Sequence, residues 1–426
     1  MKHENRYCTC MAVLVLKPKE DIRIRRGHPW VYDNEIARTL GDPAPGDEVE
    51  VQDARGLTVG YAFYNPSSRI RARIYSRQAK HADLSFFLRA FEKARAWRLL
   101  CFGENALTRG MSLRMVFGEA DGVPGLVVDA FAGVPLEAPA STPALPHANQ
   151  PEGLWLSAQF LSLGVELRKE NIVAALREVF KPDGIVERSD APVRALEGLQ
   201  PSAGVLWGTV PPRILITEHN AFYEVDLLGG QKTGWFLDQR ANRAAAARYA
   251  PGARVLDMFC NQGGFSIAAA KAGAAAVLAV DSSREALELL HHNAIRNGVS
   301  DHIEIMSANA FDYLRELEKM GRRFDLVILD PPAFAKNRAA LEGARRGYKE
   351  LNLRGMRLLE RGGILATFSC SHWFDDAMFD SMLLDAAHDC NRTLRLLEQR
   401  NQDVDHPIVY GYEESRYLKG RILQVL

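Results

Sequence analysis

A cysteine and an aspartate each follow an apolar segment in the C-terminal part of this 426-residue chain. Cys370 stands in Thr-Phe-Ser-Cys-Ser after Gly-Gly-Ile-Leu-Ala, and Asp330 opens Asp-Pro-Pro after Phe-Asp-Leu-Val-Ile-Leu. A thiolate is a strong nucleophile, and a nearby carboxyl group can hold or move a proton. Taken singly, such a cysteine is more often a small buried apolar residue, and Asp-Pro-Pro is also a common helix start.

Two further features suit a ligand that carries a nucleoside. Gly263 and Gly264 follow the apolar segment that contains Asp257, and they let the chain turn tightly so that a ligand can approach the next helix. Asp281 ends the following apolar segment, where an acid can accept hydrogen bonds from ribose hydroxyls. As a single residue, Asp281 fits better as the N-cap of a helix that starts near Ser283.

The loop around the two glycines lacks the motifs of the commonest nucleotide sites. G-x-G-x-x-G is missing, which disfavours NAD, and G-x-x-x-x-G-K-[ST] is missing, which disfavours ATP. S-adenosylmethionine therefore fits the pattern best.

The elements that must position these residues alternate from about residue 250 onwards. Short apolar segments take turns with helical patterns, which predicts an α/β, Rossmann-like domain with a mostly parallel sheet. Residues 393–400 and 420–426 predict an antiparallel pair at one edge of that sheet. In such sheets ligands bind beyond the carboxyl ends of the strands, where the four acidic and thiol side chains stand.

The chain before this region predicts two more domains. Residues 11–78 alternate short apolar segments with turn sequences, which predicts a small β-rich domain. Residues 79–212 mix strand and helix patterns, so we expect an α+β middle domain with a mobile Pro- and Ala-rich insertion over 132–153. The Rossmann-like domain then covers 213–426.

The composition excludes several classes of protein. The formal net charge is zero, so binding of nucleic acid would need a local basic patch. Six cysteines in a chain of this length do not form a disulfide framework. Cys8 and Cys10 have no second pair of ligands nearby, so we expect no metal. No apolar segment approaches the ~18 residues that span a bilayer, and we expect a cytoplasmic protein without membrane association.

Several motifs together resemble the RlmI-like class I methyltransferases, which form 5-methylcytosine in large-subunit ribosomal RNA. The motifs are GQKTGWFLDQRANR (230–243), DMFCNQGGFS (257–266), AVD (279–281), ILDPPAF (328–334) and TFSCS (367–371). RGHPWVYDNEI, from residue 26, resembles the start of that family's PUA-type RNA-binding domain. GEADGVPGLVVD and GIVERSD resemble its middle domain, so the resemblance spans nearly the whole chain.

The resemblance implies Cys370 as the catalytic nucleophile and Asp330 beside the target base. It implies a site for S-adenosylmethionine formed by Phe236, Gln239, Asp257, Cys260, Asn261, Gly263, Gly264, Asp281, Ser282, Asn309, Ala310 and Asp330. Two positions depart from the family pattern. Asn309 stands where aspartate is usual, which we expect to weaken cofactor binding, and Cys-Asn-Gln-Gly-Gly stands where Cys-Tyr-Thr-Gly-Gly is commoner.

The implied reaction is covalent catalysis. A thiolate adds to carbon 6 of cytosine, so that carbon 5 becomes nucleophilic and takes the methyl group. The base that removes the carbon-5 proton is unassigned, because the Asp-Pro-Pro motif has no second cysteine. Methyl transfer to a base nitrogen is an alternative. Sites for that reaction often have an aromatic residue directly after Asp/Asn-Pro-Pro, whereas here Ala333 stands before Phe334, which disfavours it. A second alternative is a non-catalytic RNA-binding protein that assists ribosome assembly. The presence of Asp281, Asp330 and Cys370 together argues against it.

The N-terminal domain carries the basic groups that could hold RNA. The candidates are Arg25, Arg26, Trp30, Arg69, Arg71 and Arg73. The last three arginines alternate, so on a strand they would share one face and could contact phosphates, with Trp30 stacking on a base. Pairing of these arginines with nearby acids of the same domain is the alternative. We expect large-subunit ribosomal RNA as the partner and leave a homodimer open.

Overall fold

The computed structural model describes residues 11–103, 110–136, 152–230, 233–335 and 337–426. Three sheets follow one another along the chain, of six, seven and seven strands. They correspond to the small β-rich domain, the α+β middle domain and the Rossmann-like domain, so the predicted fold class is confirmed. Cys8 and Cys10, for which no metal was expected, lie outside the described residues.

The N-terminal sheet has the strand order β2-β6-β5-β4-β1-β3. Its elements are β1 (Ala12–Leu16), α1 (Asp21–Arg25), β2 (Trp30–Tyr32), β3 (Ile36–Leu40), β4 (Glu48–Gln52), β5 (Thr58–Tyr64) and β6 (Ile70–Ser76). Alternate residues of these strands, such as Val49, Val51 and Ala72, face a small apolar core. The period of two in the sequence is the physical reason for that one-sided burial.

The middle sheet has the order β11-β10-β9-β8-β12-β13, and β7 pairs with β8. Its elements are α2 (Leu84–Phe102), β7 (Leu113–Phe117), β8 (Leu126–Pro135), β9 (Gly153–Phe160), α3 (Leu163–Glu166), α4 (Lys169–Phe180), β10 (Gly184–Ser189), β11 (Ser202–Gly208), β12 (Arg213–Glu218) and β13 (Ala221–Asp226). Helices α2 and α4 cover one face of this sheet, where phenylalanines dominate the core.

Two boundaries of the middle domain differ from the prediction. The predicted insertion over 132–153 lies mainly outside the described residues, and its described ends belong to the paired strands β8 and β9. The predicted domain start at residue 213 is also wrong for the sheet, because β12 pairs with β8. The β12–β13 hairpin nevertheless packs its apolar side chains against the third domain, which explains the ambiguity.

The C-terminal sheet has the order β16-β15-β14-β17-β18-β20-β19. Its elements are α5 (Arg240–Ala247), β14 (Arg254–Met258), α6 (Gly264–Lys271), β15 (Ala276–Asp281), α7 (Arg284–Arg296), β16 (Ile303–Ser307), α8 (Ala310–Lys319), β17 (Phe324–Leu329), α9 (Leu341–Leu358), β18 (Leu359–Ser369), α10 (Asp376–Asp389), β19 (Leu394–Arg400) and β20 (Lys419–Val425). The predicted antiparallel pair at the edge is confirmed as β19 and β20, with β20 also antiparallel to β18.

Helices cover both faces of the C-terminal sheet. Alternate residues of one strand, Val255 and Leu256 of β14, belong to two separate cores on opposite faces. Burial on both sides explains why the parallel strands read as continuous apolar segments. Short 3-10 helices complete the described residues at Asp33–Glu35, Gly118–Asp121, Pro192–Glu197, Leu237–Gln239, Ser300–His302, Arg338–Ala340 and Glu413–Ser415. No described helix is long and apolar enough to cross a membrane.

Candidate active site

Four predicted site residues lie at one edge of the C-terminal sheet. Asp257 is the penultimate residue of β14, and Asp281 is the last residue of β15. Asp330 directly follows β17, and Cys370 directly follows β18. These four strands are parallel neighbours, with Leu329 opposite Thr367, so their carboxyl ends meet at the same edge. The structure therefore brings the predicted acids and the thiol to a common edge.

The glycine-rich loop after β14 is tightly wound. Phe259, Asn261 and Gly263 have φ angles of 66°, 48° and 87°, in the region that glycine and asparagine tolerate best. The backbone N–H of Cys260 donates to the carbonyl of Val280, which ties the loop to β15. A Cβ on Gly264 would lie 2.8 Å from the Cδ of Arg243, so a larger residue there has no space.

Asp281 is held by two backbone amides. Its Oδ2 accepts from the N–H of Asn261 at 2.9 Å, and its Oδ1 accepts from the N–H of Ser283 at 2.9 Å. Ser283, not Asp281, is the N-cap of α7, since its hydroxyl accepts from the N–H of Ala286. The N-cap alternative for Asp281 is therefore wrong, and the carboxylate is oriented by the cofactor loop itself.

Asp257 is fully buried and carries an unusual proton affinity. Burial raises its pKa to about 7; the hydroxyl of Ser266, which donates to Oδ2 at 2.5 Å, opposes this, and the charges of Asp330 and Asp281 reinforce it. Among the described residues, no donor reaches its Oδ1. Ser266 was not predicted as a site residue, although it stands at the end of the glycine-rich motif.

Asp330 contacts a second predicted residue directly. The Nε2 of Gln239 donates to its Oδ1 at 2.9 Å, and the Oε1 of Gln239 accepts from Asn242 at 2.7 Å. Because Asn242 occupies the amide oxygen, the amide nitrogen of Gln239 must face Asp330. Phe236, half-buried, is held nearby through its carbonyl, which accepts from Arg243 at 2.9 Å.

The turn that carries Cys370 has a buried frame and a half-buried thiol. Ser369 and Ser371 are fully buried, whereas Cys370 is partly accessible. The Ser371 hydroxyl accepts from the N–H of Ala335 at 3.2 Å and shares a hydrogen bond of 2.8 Å with the Tyr348 hydroxyl. One serine therefore joins the Asp-Pro-Pro-Ala-Phe loop to the cysteine turn. Neither Tyr348 nor this link was evident from the sequence.

Asn309 has a structural role in this chain. It is the N-cap of α8, with Oδ1 accepting from the N–H of Phe311 at 3.0 Å and of Asp312 at 3.4 Å. The expected adenine contact would need that same oxygen, so it would compete with the cap. Ala310 is buried in the first turn of α8, while Ser282 is exposed beyond β15.

The edge fits the predicted cofactor chemically. S-adenosylmethionine carries a sulfonium and an ammonium group, and three carboxyl groups, Asp257, Asp281 and Asp330, surround the start of the glycine-rich loop and act on one another electrostatically. Opposite charges close together stabilise each other. Asp281 ends β15, where an acid can accept hydrogen bonds from ribose hydroxyls, and this role stays a prediction.

Four of the predicted RNA-binding arginines stay within the N-terminal domain: two form hydrogen bonds or ion pairs there, and two are exposed. Arg25 is paired with Asp21 at 2.7 Å and with Asp53 at 2.9 Å, as the alternative interpretation expected. Arg71 donates to the carbonyl of Pro66 in its own domain. Arg26 and Arg69 are exposed.

Arg73 and Trp30 do not lie on a free face, so that part of the prediction is wrong. Arg73, with a side chain 12% exposed, pairs with Glu119 at 2.8 Å and Glu197 at 2.9 Å, both in the middle domain. The Nε1 of Trp30 donates to Glu119 at 2.7 Å, and its ring lies edge-on to Tyr412 of the third domain, 5.3 Å between centroids. Both residues join domains.

Two families match separate parts of the chain. The PUA-like domain family matches residues 14–77, and the S-adenosylmethionine-dependent methyltransferase family matches residues 201–414. Ribosomal RNA large subunit methyltransferase I of Tolumonas auensis is 38% identical over 419 residues, which cover 97% of this chain and 99% of that protein. The protein of the same name from Erwinia tasmaniensis is 38% identical over 422 residues, covering 98% and 100%.

Solved structures share the whole architecture. A methyltransferase crystallised as a complex with SAH has a TM-score of 0.80 at 20% identity, over 97% of this chain and 100% of that chain. A SAM-dependent methyltransferase from Streptococcus mutans has a TM-score of 0.79 at 20% identity, over the same shares. At this level of identity the likeness establishes the fold.

Proposed function

The chain belongs to the ribosomal RNA large subunit methyltransferase I family of S-adenosylmethionine-dependent enzymes, and on this premise we propose that it methylates carbon 5 of a cytosine in large-subunit ribosomal RNA. The proposal has three parts: the RNA substrate, the cytosine carbon and a covalent adduct through Cys370. Each part is supported by a different feature of the chain.

The position of Cys370 beside Asp330 carries the covalent part. The thiol is partly exposed at the carboxyl edge, one residue beyond β18, while the serines on either side are fully buried. Asp330 has the equivalent place beyond the neighbouring strand β17. Cys101 and Cys390 are also partly accessible, so the place of Cys370 at the same sheet edge as Asp330, and not its exposure alone, favours a reactive role.

In the proposed reaction the residues of this chain do the following work. The Cys370 thiolate gives an electron pair to carbon 6 of the base, and the new S–C bond turns carbon 5 into a nucleophile. Asp330, held by Gln239, donates a hydrogen bond from its protonated carboxyl group to the ring nitrogen and so stabilises the negative charge that develops there. S-adenosylmethionine supplies the electrophilic methyl group when bound. Loss of the carbon-5 proton then returns the electron pair to sulfur and frees the product.

The packing of Phe334 disfavours methylation of a base nitrogen. That alternative needs an aromatic ring free to stack on the base, supplied here by Phe334. Its ring packs instead on Tyr348, 4.7 Å between centroids, and on Phe311 at 6.1 Å. A ring engaged on two sides is poorly placed to stack on a flipped base.

The N-terminal domain supports RNA as the substrate. It matches the PUA-like family, and it leaves Arg26 and Arg69 exposed to solvent. Exposed arginines contact phosphates without reading sequence, so they would position the RNA while the third domain selects the base. A cytosine within structured RNA must leave its stack to reach the thiol.

Methyl transfer to defined RNA tests the proposal. Large-subunit ribosomal RNA from cells that lack this gene is incubated with the enzyme and labelled S-adenosylmethionine, and the nucleosides are separated. We expect label only in 5-methylcytosine, and label in a methylated base nitrogen would refute the assignment. Cys370→Ser should lose turnover but keep cofactor affinity, while Cys390→Ser, at the end of α10, is the matched control and should keep both.

A further inference from the structure

A buried lysine lies beside the turn that carries Cys370. Lys419 is the first residue of β20 and stands opposite Ser369 in the antiparallel pairing with β18. The residue is only 2% exposed. Lysine is almost never buried to this extent without a charged partner, so its burial here needs an explanation.

The ammonium group of Lys419 is held by backbone carbonyls. Its Nζ donates to the carbonyl of Ser371 at 2.8 Å and to that of Tyr417 at 2.9 Å. Within the described part of the chain, no carboxylate oxygen lies within the 4.0 Å of an ion pair. The nearest acids serve other groups: Asp376 pairs with Arg421 at 2.8 Å, and Asp375 caps α10.

The negative charge that suits this lysine is the thiolate itself. Burial lowers the pKa of Lys419 to about 8, while Asp376 and a thiolate at Cys370 act against that lowering. The interaction is mutual, because a cation that is stabilised by a nearby thiolate stabilises that thiolate to the same degree. A Cys–Lys pair of this kind increases the fraction of the reactive form at neutral pH.

We propose that Lys419 is a positioning residue for the reaction, which fixes the Cys370 turn through the Ser371 carbonyl and stabilises the thiolate of Cys370. This inference rests on the proposed function. The thiol proton leaves to solvent, and the ammonium of Lys419 stabilises the thiolate that remains. The sulfur electron pair then forms the S–C6 bond, and when that bond breaks the pair returns to sulfur beside the ammonium.

Other charged or titratable groups face this pair from every neighbouring element. They are Tyr348 of α9, His372 and Asp375 before α10, Asp376 of α10, and Glu414, Arg416 and Tyr417 before β20. Burial lowers the pKa of His372 and raises that of Tyr348, so both are largely neutral near pH 8. Compared with His372 and Tyr348, Lys419 is therefore the group whose charge changes near pH 8, the range in which the reactivity of the thiol is measured.

The test measures how fast Cys370 reacts with iodoacetamide as a function of pH, followed by peptide mass spectrometry, in the full-length protein without RNA. Lys419→Met removes the charge at nearly constant side-chain length. We expect the pH midpoint of alkylation to rise by about one unit, which makes the reaction about tenfold slower near pH 7.5. Lys419→Arg should restore most of the rate, and Lys349→Met, whose lysine pairs with Asp389 on the surface, should leave the profile unchanged.

Two results would overturn the inference. One is an unchanged midpoint in Lys419→Met, and the other is equal slowing at every pH, which indicates a loosened turn without a charge effect. Melting temperature and affinity for S-adenosylhomocysteine show whether each variant is folded. If Lys419→Met fails to fold, Lys419→Gln, which keeps donors for the two carbonyls, is measured in the same way.

The assay separates this inference from the proposed function. Alkylation needs neither RNA nor methyl transfer, so it reports on the Cys370–Lys419 pair whatever base is methylated. Full activity of Cys370→Ser would refute the covalent mechanism while leaving the alkylation result readable. If the enzyme forms 5-methylcytosine and Lys419→Met has an unchanged pH midpoint of alkylation, only the role of Lys419 is refuted.

Discussion

Replacing Asp257 by asparagine should change how the stability of the protein depends on pH. In the folded chain, burial and two neighbouring carboxylates raise the pKa of Asp257 to about 7, against an ordinary value of 3.8. As pH rises from 4 to 7, the unfolded chain has lost this proton and the folded chain still holds it. The folded state binds more protons in that range, so this group makes the free energy of unfolding fall as pH rises.

The size of the effect follows from the difference between the two pKa values. It corresponds to about 4 kcal/mol of unfolding free energy between pH 4 and pH 8, an upper figure for a single buried group. Asparagine has no proton to lose, so Asp257→Asn removes this slope. The substitution also places an amide N–H₂ where Oδ1 lacked a donor, which costs about 1–3 kcal/mol at every pH and leaves the slope unaffected.

Urea unfolding of wild type and variant at several pH values measures this slope. The difference between the two proteins at each pH cancels the titration of other groups, and we expect it to favour the variant increasingly from pH 4.5 to pH 8. Asp325→Asn is the matched control: the hydrogen bond from Arg254 lowers the pKa of Asp325, so its contribution to stability is nearly complete at pH 4.5 and that variant should show a constant loss of stability from pH 4.5 to pH 8. Parallel pH profiles for Asp257→Asn and wild type would refute the raised pKa.

Further predictions concern the site and the domain contacts. Gln239→Glu places a carboxylate against Asp330, which favours the protonated form of Asp330, so the basic limb of the rate–pH profile should move to higher pH; an unmoved limb would contradict the contact. Ser371→Ala removes the hydroxyl link between two loops, and turnover should fall about tenfold with cofactor KM unchanged, as steady-state kinetics would show. Arg73→Met leaves two carboxylates buried and should destabilise the protein by about 3 kcal/mol in urea, with RNA affinity barely altered. Arg71→Glu should weaken RNA binding and reduce its salt slope by about one, whereas an unchanged slope in filter binding would remove Arg71 from the interface.

The residues at the strand ends could be predicted because the signal is local. Asp330 and Cys370 each end a continuous apolar segment, and parallel strands always present those ends at one edge. The glycine-rich loop and Asp281 were predictable for the same reason. The structure confirms their common edge, and their roles toward cofactor and base stay predictions.

The misplaced residues share a different physical cause. Arg73 alternates on its strand as expected, but its partners lie 46 and 124 residues away, a distance at which periodicity carries no information. The predicted boundary at residue 213 falls at the start of β12, which joins the middle sheet, because an amphipathic strand does not specify which edge it joins. Lys419 was overlooked since its register opposite Ser369 is fixed only by the assembled sheet.

The contacts that join the domains bear on how a large RNA is selected. Trp30, Arg73 and Glu119 bind the N-terminal and middle domains together, and His28 pairs with Glu414 of the third domain at 3.2 Å. These contacts fix the distance between the N-terminal domain and the Cys370 thiol before any RNA binds. In the proposed reaction, an RNA would then be selected by its shape, since only a fold that places a cytosine at that distance from the N-terminal domain could be bound and methylated at once.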